Sequence, residues 1–390
     1  MIALLLAACV AAEVPVTGDA VPALAGVDAA MTKFVEDNAV PGVALAVSHQ
    51  GKLTYSRGFG YSDRENKEVV TPDALFRIAS VSKPLTGVAV VKLAEMGKLD
   101  LDAPAFAFLG LALPKDGDAR LNKVTIRHLL HHTGGWDRSK SFDPMFRPRE
   151  IAKEQEVATP AGPDAVIAYM LKRPLDHDPG ATYAYSNFGY CVLGRVIEKA
   201  SGVGYEAFVK KHVLEPAGAK GVRLGRSLLE NRAPGEVRYY ARGDRKSGSV
   251  FGEGGRVPVG YGGWNLEAMD AHGGWLASAP DLVRFADALD RPAEPILTKK
   301  SVDVLFGGAT KVGDGVFYAC GWTVRPKGDK RTTWHNGKLD GTATLLARRW
   351  DGVTFAVLFN ADENKDGKYL IPLVEGPLHA ALDAVKDWPK

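Results

Sequence analysis

The chain has 390 residues, enough for one large domain or two modest ones with a sizeable buried core. Its 49 basic and 46 acidic residues nearly cancel, and no basic run is long enough to follow a nucleic-acid backbone, so a small, weakly charged substrate suits it better than a polyanion. Three widely separated cysteines, Cys9, Cys191 and Cys320, form no C-x-x-C pair and indicate neither a disulfide framework nor a thiolate zinc site.

In chain order, the first feature is Leu4-Leu-Leu-Ala-Ala-Cys9, which resembles the lipobox ahead of an acylated lipoprotein cysteine. A lipid on Cys9 would tether the mature protein to a membrane surface. The apolar stretch is short and no Lys or Arg follows Met1, so residues 1–26 read as a leader carrying a truncated lipoprotein signal. The expected location is that of an exported bacterial protein, periplasmic or membrane-anchored. No later stretch approaches the roughly 20 apolar residues of a spanning helix.

Residues 27–390 read as a single domain. Val27 to Asn38 has helical spacing and stops at Pro41-Gly42. Strands Gly42–Ser48 and Leu53–Arg57 flank Gln50-Gly51 as a hairpin. Between about residues 80 and 290 the periodicity is mainly helical, and the irregular stretches Ser139–Pro163 and Arg242–Gly263 are expected as surface loops over a cleft. Strands return at Phe317–Val324, Thr332–His335, Thr342–Trp350 and Val353–Asn360, with Asp351-Gly352 as a turn, and a last helix is expected after Pro377. The fold this predicts is α+β: an antiparallel sheet built from both chain ends and flanked by helices, with a mostly helical second lobe and a cleft between the two.

Chemistry gathers at three separated motifs. In Phe76-Arg-Ile-Ala-Ser80-Val-Ser-Lys83-Pro84, the proline suits a helix's first turn, so Ser80 falls at a helix N-terminus with Lys83 one turn on. A serine hydroxyl needs a base, and a lysine serves only when its pKa is depressed. Such a pair also arises by chance. The second motif, Tyr185-Ser-Asn187, lies on the turn before another helix, where a phenol can relay protons and a carboxamide can hold a substrate carbonyl or restrain the lysine. The third, Trp334-His-Asn-Gly337, lies on a late strand, where Gly337 lets a substrate approach the backbone.

With these motifs in this order, the chain resembles the serine β-lactamase and penicillin-binding-protein superfamily, in its class C-type branch of esterases, D-amino-acid peptidases and D,D-carboxypeptidases. Val40–Val47, Ile126–Gly135, Gly273–Asp281 and Cys320-Gly-Trp322 support the likeness, which spans roughly Val27 to Asn360. The resemblance implies acyl transfer without a cofactor or metal: Ser80 as nucleophile, Lys83 and Tyr185 handling protons, and an oxyanion between the backbone N–H groups of Ser80 and Lys338. Asn187, His335, Asn336 and Gly337 would bind the substrate, a small ester, amide or peptide.

One departure narrows this. Most β-lactamases carry Lys-Thr-Gly where this chain has His335, and an ordinary histidine is protonated only about a quarter of the time at pH 7. Esterase or peptidase activity is therefore expected ahead of β-lactam hydrolysis, although Lys338 could restore charge. A non-catalytic peptidoglycan-binding or sensor relative would usually have lost Ser80, Lys83 or Tyr185. His128, His131 and His132 read as packing rather than as zinc ligands, since no His-Glu-x-x-His pattern accompanies them.

Overall fold

The computed structural model describes residues 13–389 apart from Glu253, Asp290 and Pro292, so Cys9 and its proposed lipid lie outside the described residues. Side-chain alternation in the Gly42–His49 strand sets the layers. Val43, Leu45 and Val47 face one way, into a core shared with the helices Ala25–Asn38 and Leu370–Asp383. Ala44 and Ala46 face the other way, into the larger core of the helical lobe. Helix Ala279–Asp287 packs on that face, where small side chains admit it closely.

The main antiparallel sheet runs Val16–Thr17, Lys52–Asp63, Gly42–His49, Val353–Phe359, Thr342–Arg348, Lys330–Leu339, Trp322–Lys327, Val316–Ala319, Thr310–Gly313. The strand Val353–Phe359 pairs with Gly42–His49 from Val353↔His49 to Phe359↔Val43, which joins the two ends of the chain at the sheet's middle. The fold class expected from the sequence is the one observed. Among the described residues no helix is long and apolar enough to cross a membrane.

Several boundaries differ: the strand expected at Leu53–Arg57 runs over Lys52–Asp63, and that at Thr332–His335 over Lys330–Leu339. The division at residue 26 falls inside the first helix, and the preceding segment is integrated: Val16–Thr17 pairs with Lys52–Asp63, and Leu24 is fully buried. Phe317–Val324 is two strands, because Gly321, at φ +84°, turns the chain between Val316–Ala319 and Trp322–Lys327. The last helix begins at Leu370 with Pro377 inside it, since burial of Leu370, Ile371 and Val374 outweighs the missing hydrogen bond. The stretch Ser139–Pro163 holds a turn, Pro144–Phe146, and a helix, Pro148–Glu154.

Candidate active site

Ser80 lies in a 3-10 turn, Ala79–Val81, that feeds the central helix Ser82–Glu95. That helix is buried on nearly every side, as its almost unbroken apolar sequence requires. Ala79 adopts φ +46°, a region that a residue with a Cβ rarely occupies. The preceding residue explains how it is held: Ile78 N–H donates to the Trp275 carbonyl at 2.9 Å, and the Ile78 carbonyl accepts from Thr344 Oγ1 at 2.9 Å. A Cβ on Gly337 would stand 2.5 Å from that same Ile78 oxygen. The glycine is therefore required by the docking of the Ser80 turn on the sheet, rather than by an approaching substrate.

Lys83 is fully buried, with Nζ 3.2 Å from Ser80 Oγ, 2.8 Å from Asn187 Oδ1 and 3.0 Å from the His272 carbonyl. Desolvation pushes its pKa well below the usual lysine value; the Asp143 carboxylate opposes this and the Arg138 guanidinium reinforces it. A neutral amine has two N–H donors and one lone pair. Two carbonyl oxygens, which can only accept, take the N–H groups, and the lone pair is left toward the Ser80 hydroxyl. Helix and sheet clamp this lysine from behind: a Cβ at Gly321 would overlap the Lys83 carbonyl, and one at Gly87 would overlap that of Cys320.

Tyr185 and Asn187 arrive from the start of helix Asn187–Ser201, whose N-cap Ser186 accepts from Gly189 N–H at 3.2 Å. The Tyr185 ring centroid is 4.8 Å from Lys83 Nζ. Burial raises the phenol's pKa, while a hydrogen bond with Ser80 acts the other way. His132 supports the ring from below at 4.2 Å, and Tyr318 and Tyr190 pack on the same imidazole at 4.5 and 5.1 Å. His132 Nδ1 accepts from Ser186 N–H at 3.2 Å, so its proton sits on Nε2.

The three neighbouring histidines part company. His128 caps its own helix with Thr125, His131 Nε2 lies 3.7 Å from Cys320 Sγ, and His132 enters the aromatic box. His132 was read from the sequence only as packing, and Tyr318 was not singled out. Nor were Arg138 and Asp143, the latter in the stretch Ser139–Pro163 read as a surface loop over the cleft. Asp143 Oδ1 accepts from Met145 N–H at 3.1 Å, and the Asp143-Pro144 pair is a turn-starting signal that was there to be found.

His335 is 4% exposed, and desolvation, with a further push from Lys83, lowers its pKa to about 3. The partial charge expected from an ordinary histidine is absent. Nδ1 lies 2.6 Å from the Asn336 carbonyl and so carries the proton; Nε2, 3.1 Å away, accepts from the Tyr318 hydroxyl. The ring is a neutral wall element committed to Tyr318. Lys338 does not restore charge, since its Nζ is 3.1 Å from Glu363 Oε1 and 3.7 Å from Asp362 Oδ2. By strand alternation Asn336 shares the face of Lys338, beside Tyr369, and its side chain is not among those gathered at Ser80. Pairing with Trp322–Lys327 stops at Trp334, which leaves one backbone edge of residues 336–338 without a strand partner.

This arrangement, a hydroxyl beside a desolvated lysine on a central helix against an antiparallel sheet, accompanies a clear family assignment: the chain belongs to the Beta-lactamase family, whose pattern matches residues 27–375. Among curated relatives, a penicillin-binding protein of Bacillus subtilis is 27% identical over 361 residues, covering 90% of this chain and 74% of that protein. An esterase of Burkholderia gladioli is 31% identical over 215 residues, 52% of each chain. Among solved structures, a D-amino acid amidase from Ochrobactrum anthropi matches with a TM-score of 0.72 at 21% identity, over 92% of this chain and 98% of that one. An octameric penicillin-binding protein homologue from Pyrococcus abyssi gives 0.69 at 24% identity, over 90% and 76%.

Proposed function

We propose that the protein is a serine hydrolase that cleaves an ester or amide through an acyl-enzyme on Ser80. The observation that carries this reading is the 3.2 Å approach of Ser80 Oγ to the amine of a fully buried, depressed-pKa Lys83. Ser80 Oγ attacks the substrate carbonyl as its proton passes to Lys83. The oxyanion accepts from the backbone N–H groups of Ser80 and Lys338, an arrangement commonly worth about 3 kcal/mol. The intermediate collapses, and the leaving alkoxide or amine takes the proton through Tyr185. Water then attacks the acyl ester, gives a proton back along the same route to Ser80, and releases the carboxylic acid.

Lys83 rather than Tyr185 is the base in this scheme, because burial lowers the lysine and raises the phenol. The esterase among the relatives supports ester substrates, and the amidase shares the fold. β-Lactam hydrolysis ranks lower, since neutral His335 and ion-paired Lys338 offer no free charge to a drug's carboxylate.

The test is turnover of p-nitrophenyl butyrate by the purified full chain, with mass spectrometry after a brief exposure. The expected result is one butyryl group on the Ser80 peptide and loss of turnover in Ser80→Ala. Undiminished turnover in that variant would overturn the assignment.

A further inference from the structure

Asn187 must present its oxygen to Lys83 for the amine's lone pair to remain free for Ser80. A carboxamide is nearly symmetric in shape, and turned over it would donate from Nδ2 into that lone pair and block it. Something outside the pair has to fix the orientation. Asn187 Nδ2 donates to Asp143 Oδ2 at 2.7 Å, and an ionised carboxylate only accepts. The chain of contacts therefore reads Asp143 Oδ2, Asn187 Nδ2, Asn187 Oδ1, Lys83 Nζ, Ser80 Oγ, with links of 2.7, 2.8 and 3.2 Å across the amide.

We propose that Asp143 is a positioning residue for the Ser80–Lys83 pair: its carboxylate fixes the Asn187 amide so that Lys83 keeps its lone pair for Ser80. The inference rests on the serine-hydrolase reading of the site. It also limits Asn187 as a substrate ligand, because its oxygen and one N–H are already engaged within the protein.

Asp143 has a second effect on the same lysine, through charge. The groups around Lys83 come from five directions. Asp143 and Arg138 stand on the segment after Trp136, and His132 follows helix Ile126–Leu130. Tyr185 and Tyr190 belong to the start of helix Asn187–Ser201. His272 lies behind, and His335 projects from the sheet. Burial lowers the pKa of all three histidines and raises those of the two tyrosines, which keeps them neutral. Asp143 is the carboxylate in this set, and it favours the ammonium form of Lys83 while Arg138 disfavours it. A base loses activity as it gains its proton, so the acid limb of the rate profile follows the pKa of Lys83. Removing the Asp143 charge lowers that pKa and moves the limb to lower pH.

The experiment compares kcat/KM for p-nitrophenyl butyrate against pH in the full chain, for wild type, Asp143→Asn, Asp143→Ala and the exchange Asp143→Asn with Asn187→Asp. In Asp143→Asn, which keeps a good cap for the Pro144–Phe146 turn, the acid limb should fall by about one pH unit. In Asp143→Ala, kcat should drop at least about tenfold with KM changed far less, because the amide is no longer oriented. The exchange places a carboxylate directly on Lys83 and should move the limb upward by about one unit or more. Melting curves identify any variant that fails to fold; the isosteric Asp143→Asn and the exchange then decide. Coincident acid limbs in both, or lost activity on an unshifted profile, would overturn the proposal and leave Asp143 a turn cap. Failure of the underlying reading looks different: Ser80→Ala would turn over ester as wild type does, or wild type would carry no acyl group on Ser80.

Discussion

Lys83 and Tyr185 are driven apart by the same force, since desolvation disfavours an ammonium in one and a phenolate in the other. The phenol thus stays protonated, a hydrogen-bond donor, through neutral pH. Tyr185→Phe should lower kcat for p-nitrophenyl butyrate by about a hundredfold, the range of a lost general acid, with an unchanged melting temperature. Retained kcat would place Tyr185 in the wall only. His335 gives a complementary expectation. With a pKa of about 3 it changes no charge through neutral pH, so matched neutral and carboxylate-bearing p-nitrophenyl esters should show no differential titration near pH 6.5. A limb near that value, confined to the anionic ester and lost in His335→Gln, would show the ring protonating. Ser80, Lys83, Tyr185 and Asn187 were legible in the sequence because each sits at a fixed offset from a helix start. Asp143 was not, because its meaning comes from a contact 44 residues away. His335 was visible but misread, since burial set its charge and burial is not written in the local motif.

The turn carrying Ser80 is clamped between elements rather than built from one. Ile78 is tied to Trp275 on one side and Thr344 on the other, and Gly337 leaves room for its carbonyl. The Cys320-Gly321 turn presses on Lys83 and Gly87 from behind. Gly87→Ala should therefore cost about 1–3 kcal/mol, as overpacking does, and reduce Ser80 acylation because the helix must shift at Lys83. Gly204→Ala, where nothing lies within 4 Å, is the control expected to alter neither. Urea unfolding and acylation rates of the two variants check this, and equal behaviour would remove the clamp. The division of Phe317–Val324 into two strands was hard to see because Phe, Tyr, Trp, Thr and Val all favour extended backbone and only the short Ala319-Cys320-Gly321 run interrupts them. The helix hidden in Ser139–Pro163 begins at Pro148, a helix-start position that reads equally well as a loop residue.

At the scale of the molecule, two hydrophobic cores lie on either side of one sheet, and the larger holds His131, His132, His272 and His335 in buried, neutral form. Their folded pKa values all lie below the unfolded value; His131 is lowered to about 4. Well above pH 6.5 these residues are neutral in both states and cost nothing. As the pH falls below that, the unfolded chain takes up protons that the native state refuses, and stability drops by up to about 1.4 kcal/mol per pH unit for each histidine. Buried Asp270, Asp287 and Glu236, with raised values, offset part of this. The expected outcome is a urea midpoint that declines between pH 6.5 and pH 5, with a shallower decline in His131→Gln. A midpoint that is flat over that interval would contradict the buried-neutral assignment. The sheet of both chain ends was legible from where strand patterns began and resumed. Its order was not, because pairing between Gly42–His49 and Val353–Phe359 is a property of the whole chain.

That pairing bears on when the protein comes into being. During synthesis the Gly42–His49 and Lys52–Asp63 hairpin emerges with one edge open, and about three hundred residues pass before Val353–Phe359 can close it. Thr344, which fixes the turn of Ser80, is separated from Ile78 by 266 residues. The hydroxyl and its lysine therefore leave the ribosome well before the residues that position them, and a chain cut short of Thr344 should carry the reactive groups without the contact that fixes their turn.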